Sequence, residues 1–517
     1  MRLLRTAAPL CVTVAASAYA LRSILFHSGV PAYLHDWSWP FTVKQLRDAV
    51  HYNAGVWSPA GMGSPNAFVM NHPIFWFWHA TAALLGPATV LKLTLLAAMV
   101  ALGTGVAACA TRFFGASLSV ATIVGVCAML GPGVYANLVA GHVYELMSLG
   151  PLFWSLAILQ SAQVKGSALS AGVVAALAAL QVQIALLAIV ALLIAVALRS
   201  RRLRIQTLVL GASSVVVTAS LLLLPEIWAV FAENTPAYLM PLHTLQHWEL
   251  NNSSPLAAAP LALGYFAGYA ERAFSSLPGG DVARLLLWSI PALAIVGCAR
   301  RWRTGVTWLL AGLWILCVGL VAGLNGPLAT PIAGAFERWN VASLFRELFH
   351  FAAPGWCFAC ILAAAGLQRL PAPVLIGGAL APLAAVFALW LPSNFASQLH
   401  NWPPPRGLAK SVQQLSRAPG SWRVLYDPAE MPVGPAGAPT GGYDPSSYGV
   451  GVHPPASTYR PAGPLEVAIG LRERNDPRAV RWMQLLGVGA RLTQAGIVSR
   501  LRDIYEKPNR WPDFMKG

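Results

Sequence analysis

Apolar stretches of membrane-span length recur along most of the chain, and no other feature limits its fold so severely. A helix needs about 20 apolar residues to cross a bilayer core, and lipid offers its backbone no hydrogen-bond partner. Segments near that length fall at about 5–25, 88–110, 116–133, 146–162, 167–181, 183–199, 206–225, 284–299, 304–322, 353–368 and 372–391. They predict an all-α polytopic membrane protein of about eleven spans. The fifth and sixth are short and meet at Gln181-Val182-Gln183, so they read either as two spans or as one helical hairpin. The stretch from His72 to Gly86 opens on His72-Pro73 and reads as a half-inserted helix on the outer side. Only 10% of residues are charged, against roughly 25% in a soluble domain. That excludes a soluble enzyme and a disordered chain.

The net charge of +16 taken alone suggests nucleic acid, but the placement of the charges argues otherwise. The terminus and short loops on one side of the spans carry Arg2, Arg5, Arg112, Lys165, Arg199, Arg201, Arg202, Arg204, Arg300, Arg301, Arg303 and Arg369, with no Asp or Glu. Basic residues collect on the cytoplasmic side. The expected topology is a multi-pass protein of the cytoplasmic membrane, N-terminus inside and C-terminus outside, that binds no nucleic acid. Met1–Ala20 also fits a signal peptide ending in Ala18-Tyr19-Ala20. Because the apolar run continues through Leu21–Phe26, an uncleaved first span is preferred. The seven cysteines all fall in expected spans, so no disulfide framework is implied. The nineteen tryptophans suit aromatic belts at the interfaces.

Three outer segments are too long to be connectors: about 27–87, about 226–283, and the tail from about 393. The tail is first rich in Pro, Gly and Tyr. It then offers a short strand at Trp422–Tyr426, a helix over Asp476–Leu486 entered through Asp476-Pro477, and a second strand at Val488–Thr493. Residues 1–392 read as a membrane domain and 393–517 as a small extracytoplasmic α+β module. No Walker motif or G-x-G-x-x-G lies on the inner side, which speaks against an ATP-driven pump.

Three clusters could carry chemistry. His35-Asp36-Trp37 lies just past the first span. A carboxylate at that surface can act as general base or hold a divalent metal, or it can simply cap the next helix. Gly141-His142-Val143-Tyr144-Glu145 joins spans three and four on the same side. His142 and Glu145 share a face if the turn is helical, although Glu145 at a helix start also reads as a cap. Phe336-Glu337-Arg338-Trp339 and Phe345-Arg346-Glu347-Leu348-Phe349-His350 precede the tenth span. Arg346 and His350 are spaced for one helical face. Arg338 and Arg346 need partners, which are either Glu337 and Glu347 or a lipid phosphate, for which a guanidinium fork is suited. Lys92 near a span end either snorkels or meets a phosphate.

An acid just past span one, Asp36, and another between spans three and four, Glu145 with His142, resemble the layout of the GT-C superfamily of membrane glycosyltransferases. Phe345-Arg346-Glu347 resembles the "FRE-P" stretch of YfhO-like membrane proteins, with Leu348 in place of the Pro. Leu485–Arg491 resembles a strand late in those chains, and the first loop is similar to that of mycobacterial membrane arabinofuranosyltransferases. The resemblance implies a polyprenyl-phosphate sugar donor and a cell-envelope glycan or lipid acceptor at the outer face. Asp36 would take the acceptor proton, with Glu145 and His142 beside it. Arg338, Arg346, Glu347, His350, His35 and Lys92 would bind substrate. A divalent cation, magnesium or manganese, would sit at Asp36 and Glu145 if one is used. Two other classes fit less well. A flippase or transporter of a lipid-linked or polyanionic substrate calls for ionisable residues along the spans, and a non-catalytic scaffold calls for no convergence of the acids.

Overall fold

A computed structural model describes residues 2–31, 72–160, 165–198, 242–264, 278–339 and 347–368. It also describes the short stretches 57–58, 64–65, 401–402, 423–427 and 488–493, and single positions 43, 46, 383, 386, 387, 391, 477, 478 and 481. The spans expected at 206–225 and 372–391 lie outside these residues or touch them at isolated positions, as do His35, Asp36, Arg346 and most of the expected tail helix.

The chain forms two compact units. One comprises Met1–Phe26 with Leu93–Leu399, and the other comprises His27–Lys92 with His400–Gly517. The first unit is helical. Five helical stretches among the described residues are long and apolar enough to cross a membrane: Pro87–Phe114, Leu118–Ala140, Gly280–Arg301, Gly305–Asn325 and Leu348–Leu367. Shorter apolar helices run over Pro9–Ala20 and Gln183–Ala195. Gln181 is extended between the 3-10 turn Leu177–Leu180 and the helix Val182–Ala197.

The helix Ala352–Leu367 is the axis of this unit, and each of its residues is buried. Its Ala, Gly and Cys side chains are small enough to let neighbours close in on every side. Helices Ser289–Arg301, Gly305–Ala322 and Leu118–Met129 pack on it. The Trp356 indole N–H, which must find an acceptor when buried, donates to the Cys127 carbonyl at 3.0 Å.

Contacts along this axis separate two ends of the bundle. Gly355 lies against Cys317, and Gly297 lies against Leu362 and Gly366. Gln368 Nε2 donates to the Gly115 carbonyl at 2.8 Å. Arg112, Arg300, Arg301 and Arg303 therefore gather at the Gln368 end. Glu145 and Glu347 lie at the other end, where Ser253 receives the Leu324 amide at 3.1 Å. Exposed tryptophans mark both ends: Trp302 and Trp308 beside the arginines, Trp288 and Trp339 opposite. The separation of charge and the two aromatic belts are what a bilayer-spanning bundle needs.

The second unit has its own ties. Val30 pairs with Trp402 and Pro31 with Asn401, antiparallel. The His27 carbonyl accepts from Asn401 Nδ2 at 2.6 Å and from Lys92 Nζ at 2.5 Å. Strands Arg423–Asp427, one residue on from the expected Trp422–Tyr426, and Val488–Thr493 pair in parallel.

Candidate functional site

The linker expected between spans three and four is mostly helix. Leu130-Gly131 interrupts Leu118–Met129, and Pro132 opens a second helix, Pro132–Ala140, from its first position. Proline suits that position because its missing N–H has no intrahelical partner there. A Cβ on Gly133 would lie 2.7 Å from the Ala353 Cα, so only glycine lets this short helix rest against the axis. Gly141 ends it at φ 84, a left-handed conformation that glycine adopts without strain. The chain then re-enters helix at Val143–Gln160, with Glu145 in its first turn.

This turn carries Asn137, His142 and Glu145 to the start of the axis helix. Glu145 is 1% exposed. Its Oε1 accepts from Asn137 Nδ2 at 2.6 Å. Its Oε2 is in short contact with His350 Nδ1, a side chain 205 residues away in sequence. His350 Nε2 meets Glu347 Oε2 at 3.1 Å. His142 Nδ1 stands 3.8 Å from Glu145 Oε2. The His142 ring stacks on Phe349 at 5.9 Å between centroids and 19° between planes, and tilts toward His350 at 5.2 Å. A buried chain thus runs from Asn137 through Glu145 and His350 to Glu347. Glu347 and His142 open outward, with side chains 30% and 10% exposed.

A buried carboxylate is retained only where partners replace its lost water, and Asn137 and His350 are those partners. Glu145 therefore turns into the bundle, so its side chain does more than cap its own helix. The structure brings together four of the expected site residues: His142, Glu145, Glu347 and His350. Arg338 is exposed at the end of helix Ala329–Arg338. It lines a cavity of about 750 Å³ with Thr330, Gly334, Glu337 and Trp339. Lys92 belongs to the second unit and bonds the His27 carbonyl of that same unit. The expected shared face of Arg346 and His350 lies outside the described residues, as Arg346 does. Glu347 has φ −84 and ψ 64, outside the helical region, and the 3-10 turn begins only at Leu348. That break lets Glu347 fold back onto His350.

Sequence reasoning missed Asn137. Its signal was a lone amide in the apolar run Val134–Ala140, four residues before the turn glycine Gly141. It also missed the contact between Glu145 and His350, for which local spacing holds no signal.

His142, Glu145 and His350 offer ligand atoms that all lie within 4.8 Å of one another. Asp36, the other residue to which the resemblance gives a cation, lies outside the described residues; the three donors here suit hard cations such as magnesium poorly. Such hard cations take oxygen ligands, whereas two of these three donors are imidazole nitrogens and one carboxylate oxygen is held by Asn137.

No family model and no curated relative matches the sequence. Solved structures do. The arabinofuranosyltransferase AftD from Mycobacteria aligns at TM-score 0.56 and 16% identity, over 82% of this chain and 29% of that one. Its R1389S mutant, class 1, aligns at 0.52 and 17%, over 88% and 34%. The apo oligosaccharyltransferase of Archaeoglobus fulgidus aligns at 0.53 and 13%, over 93% and 69%. This chain therefore spans less than a third of the AftD of the first comparison. Both kinds of neighbour are GT-C membrane glycosyltransferases. At these identities the likeness concerns the fold alone, a helical membrane-protein architecture that the chain shares with those structures.

Proposed function

We propose that this protein transfers a sugar from a polyprenyl-phosphate donor to a cell-envelope glycan or lipid, at the outer face of the cytoplasmic membrane. The observation that supports the reading best is the buried cluster of Asn137, His142, Glu145, Glu347 and His350. It stands at the arginine-poor end of a GT-C bundle, where the positive-inside rule puts the outer face. A carboxylate–imidazole chain of this kind is costly to bury and is usually kept for a site.

In this reading the acceptor hydroxyl attacks the sugar C1. The new O–C1 bond forms as the bond from C1 to the phosphate oxygen breaks, and Asp36 takes the proton. The polyprenyl phosphate leaves with its negative charge against Arg338 and Arg346, because fixed cations at a developing anion lower the barrier. His142 and Glu347, the members open to solvent, face the sugar, while Glu145 and His350 hold them. The 750 Å³ cavity beside Arg338 takes the phosphate end of the lipid. In the proposed family assignment the chain is arabinofuranosyltransferase-like or YfhO-like.

The test is transfer from labelled polyprenyl-phosphate sugars to envelope membranes by purified protein in liposomes. Wild type should release polyprenyl phosphate, and Asp36→Asn should abolish release while inserting normally. Full turnover by Asp36→Asn would remove it as the base. No transfer from any member of a donor panel would sink the reading.

A further inference from the structure

The chain from Asn137 to Glu347 brings two imidazoles and a buried carboxylate within reach of one point, with ligand atoms inside 4.8 Å of one another. Glu347 Oε2 is a hydrogen-bond acceptor for His350 Nε2, so that nitrogen carries a hydrogen. The other nitrogen, Nδ1, then points a lone pair at the Glu145 carboxylate unless it too is protonated. Either a proton or a metal ion can bridge the two. A proton leaves an imidazolium between two carboxylates, a net single negative charge in a largely buried cluster. A divalent cation with neutral imidazoles leaves none, and buried charge is tolerated where it is compensated.

We infer that His142 Nδ1, Glu145 Oε2 and His350 Nδ1 form a three-ligand site for a zinc-class divalent transition metal. Imidazole with one carboxylate suits Zn²⁺, Co²⁺, Ni²⁺ and Fe²⁺, and disfavours Mg²⁺ and Ca²⁺, which want oxygen. Ligand atoms of a tetrahedral zinc stand about 3.3 Å apart, given bonds of about 2.0–2.1 Å. His142 and Glu145, at 3.8 Å, need little adjustment. His350 and Glu145 move apart as the ion replaces the proton between them.

The outer partners match the chemistry. A metal-bound histidine commonly gives its far N–H to a carboxylate, and a metal-bound carboxylate is itself hydrogen-bonded. Glu347 does the first for His350 and Asn137 the second for Glu145. Stacking on Phe349 restrains the His142 ring. Three protein ligands leave a fourth position open for a water or a phosphate oxygen, as in sites that handle an exchangeable group. The inference concerns the proposed transfer site but needs neither donor nor acceptor, so each can fail alone.

The experiment strips the purified full chain with chelator, reloads it with Co²⁺, and reads visible absorption and metal content. Wild type should bind about one ion per chain with the intense bands of tetrahedral cobalt, and Zn²⁺ but not Mg²⁺ should displace it. Glu347→Gln and Asn137→Ala should weaken binding by about 10–100-fold. His142→Ala, at the partly exposed ligand, should remove the tetrahedral bands while the protein still elutes as a single species. Three results would overturn the site: no cobalt in wild type, the same spectrum in His142→Ala, or thiolate charge-transfer bands that place the ion on the cysteines.

Discussion

Replacing His350 with alanine should be among the most damaging single changes in the bundle, and the structure says by how much. His350 is 3% exposed and, with Asn137, hydrogen-bonds the buried Glu145 carboxylate. Taking it away leaves a buried charge hydrogen-bonded by Asn137, with the His142 imidazole 3.8 Å off. Breaking a buried pair in this way costs about 3–5 kcal/mol. Glu347 loses its bond as well, but at 30% exposure water replaces much of it. The charge can be removed first. In a Glu145→Gln background the same His350→Ala change should cost only packing, about 2 kcal/mol. The two substitutions should therefore couple by at least about 1 kcal/mol. Equilibrium unfolding of chelator-treated protein in mixed micelles of rising dodecyl sulfate content measures all four corners of the cycle. Additive costs, or a His350→Ala cost under about 1 kcal/mol, would refute the charged buried pair.

Other changes separate packing from chemistry. Gly133→Ala puts a methyl 2.7 Å from the Ala353 Cα and should cost about 1–3 kcal/mol in the same unfolding assay by forcing the Asn137 helix off the axis. Arg338→Gln, at an exposed site, should leave stability within about 0.5 kcal/mol. It should raise the donor KM about tenfold or more, as expected for losing a charge-assisted phosphate contact; an unchanged KM removes Arg338 from donor binding. In a Cys11→Ser background, which removes the one exposed thiol, single cysteines at Trp339 and Arg303 should react with a membrane-impermeant maleimide from opposite sides. Trp339→Cys should label from outside, and the reverse pattern would invert the topology.

Much of the architecture was readable because lipid leaves so few options. Span-length apolar runs had to be helices, and the bare arginines after Arg300 had to sit at one end. Boundaries were harder. Gly131-Pro132 looked like the tail of a span, yet Pro132 restarts a helix and turns an expected loop into the platform for Asn137. At the site, His142 and Glu145 were legible as neighbours because three residues of helix bring them together. The partnership of Glu145 with His350 depends on helices far apart in sequence packing through Gly133 and Ala353, which no local pattern encodes. A continuous helix through Arg346 was expected from spacing alone. Arg346 lies outside the described residues, and the non-helical backbone of Glu347 delivers its carboxylate to His350.

Glu145 carries the central claim, since every member of the cluster reaches it directly or through one neighbour. Its amide replacement keeps the shape and removes the charge. In liposomes with a labelled polyprenyl-phosphate sugar and envelope membranes as acceptor, Glu145→Gln should insert normally and lose transfer by at least about a hundredfold, the scale of a lost electrostatic group in an active site. A correctly inserted Glu145→Gln protein that transfers sugar at the wild-type rate would contradict the account.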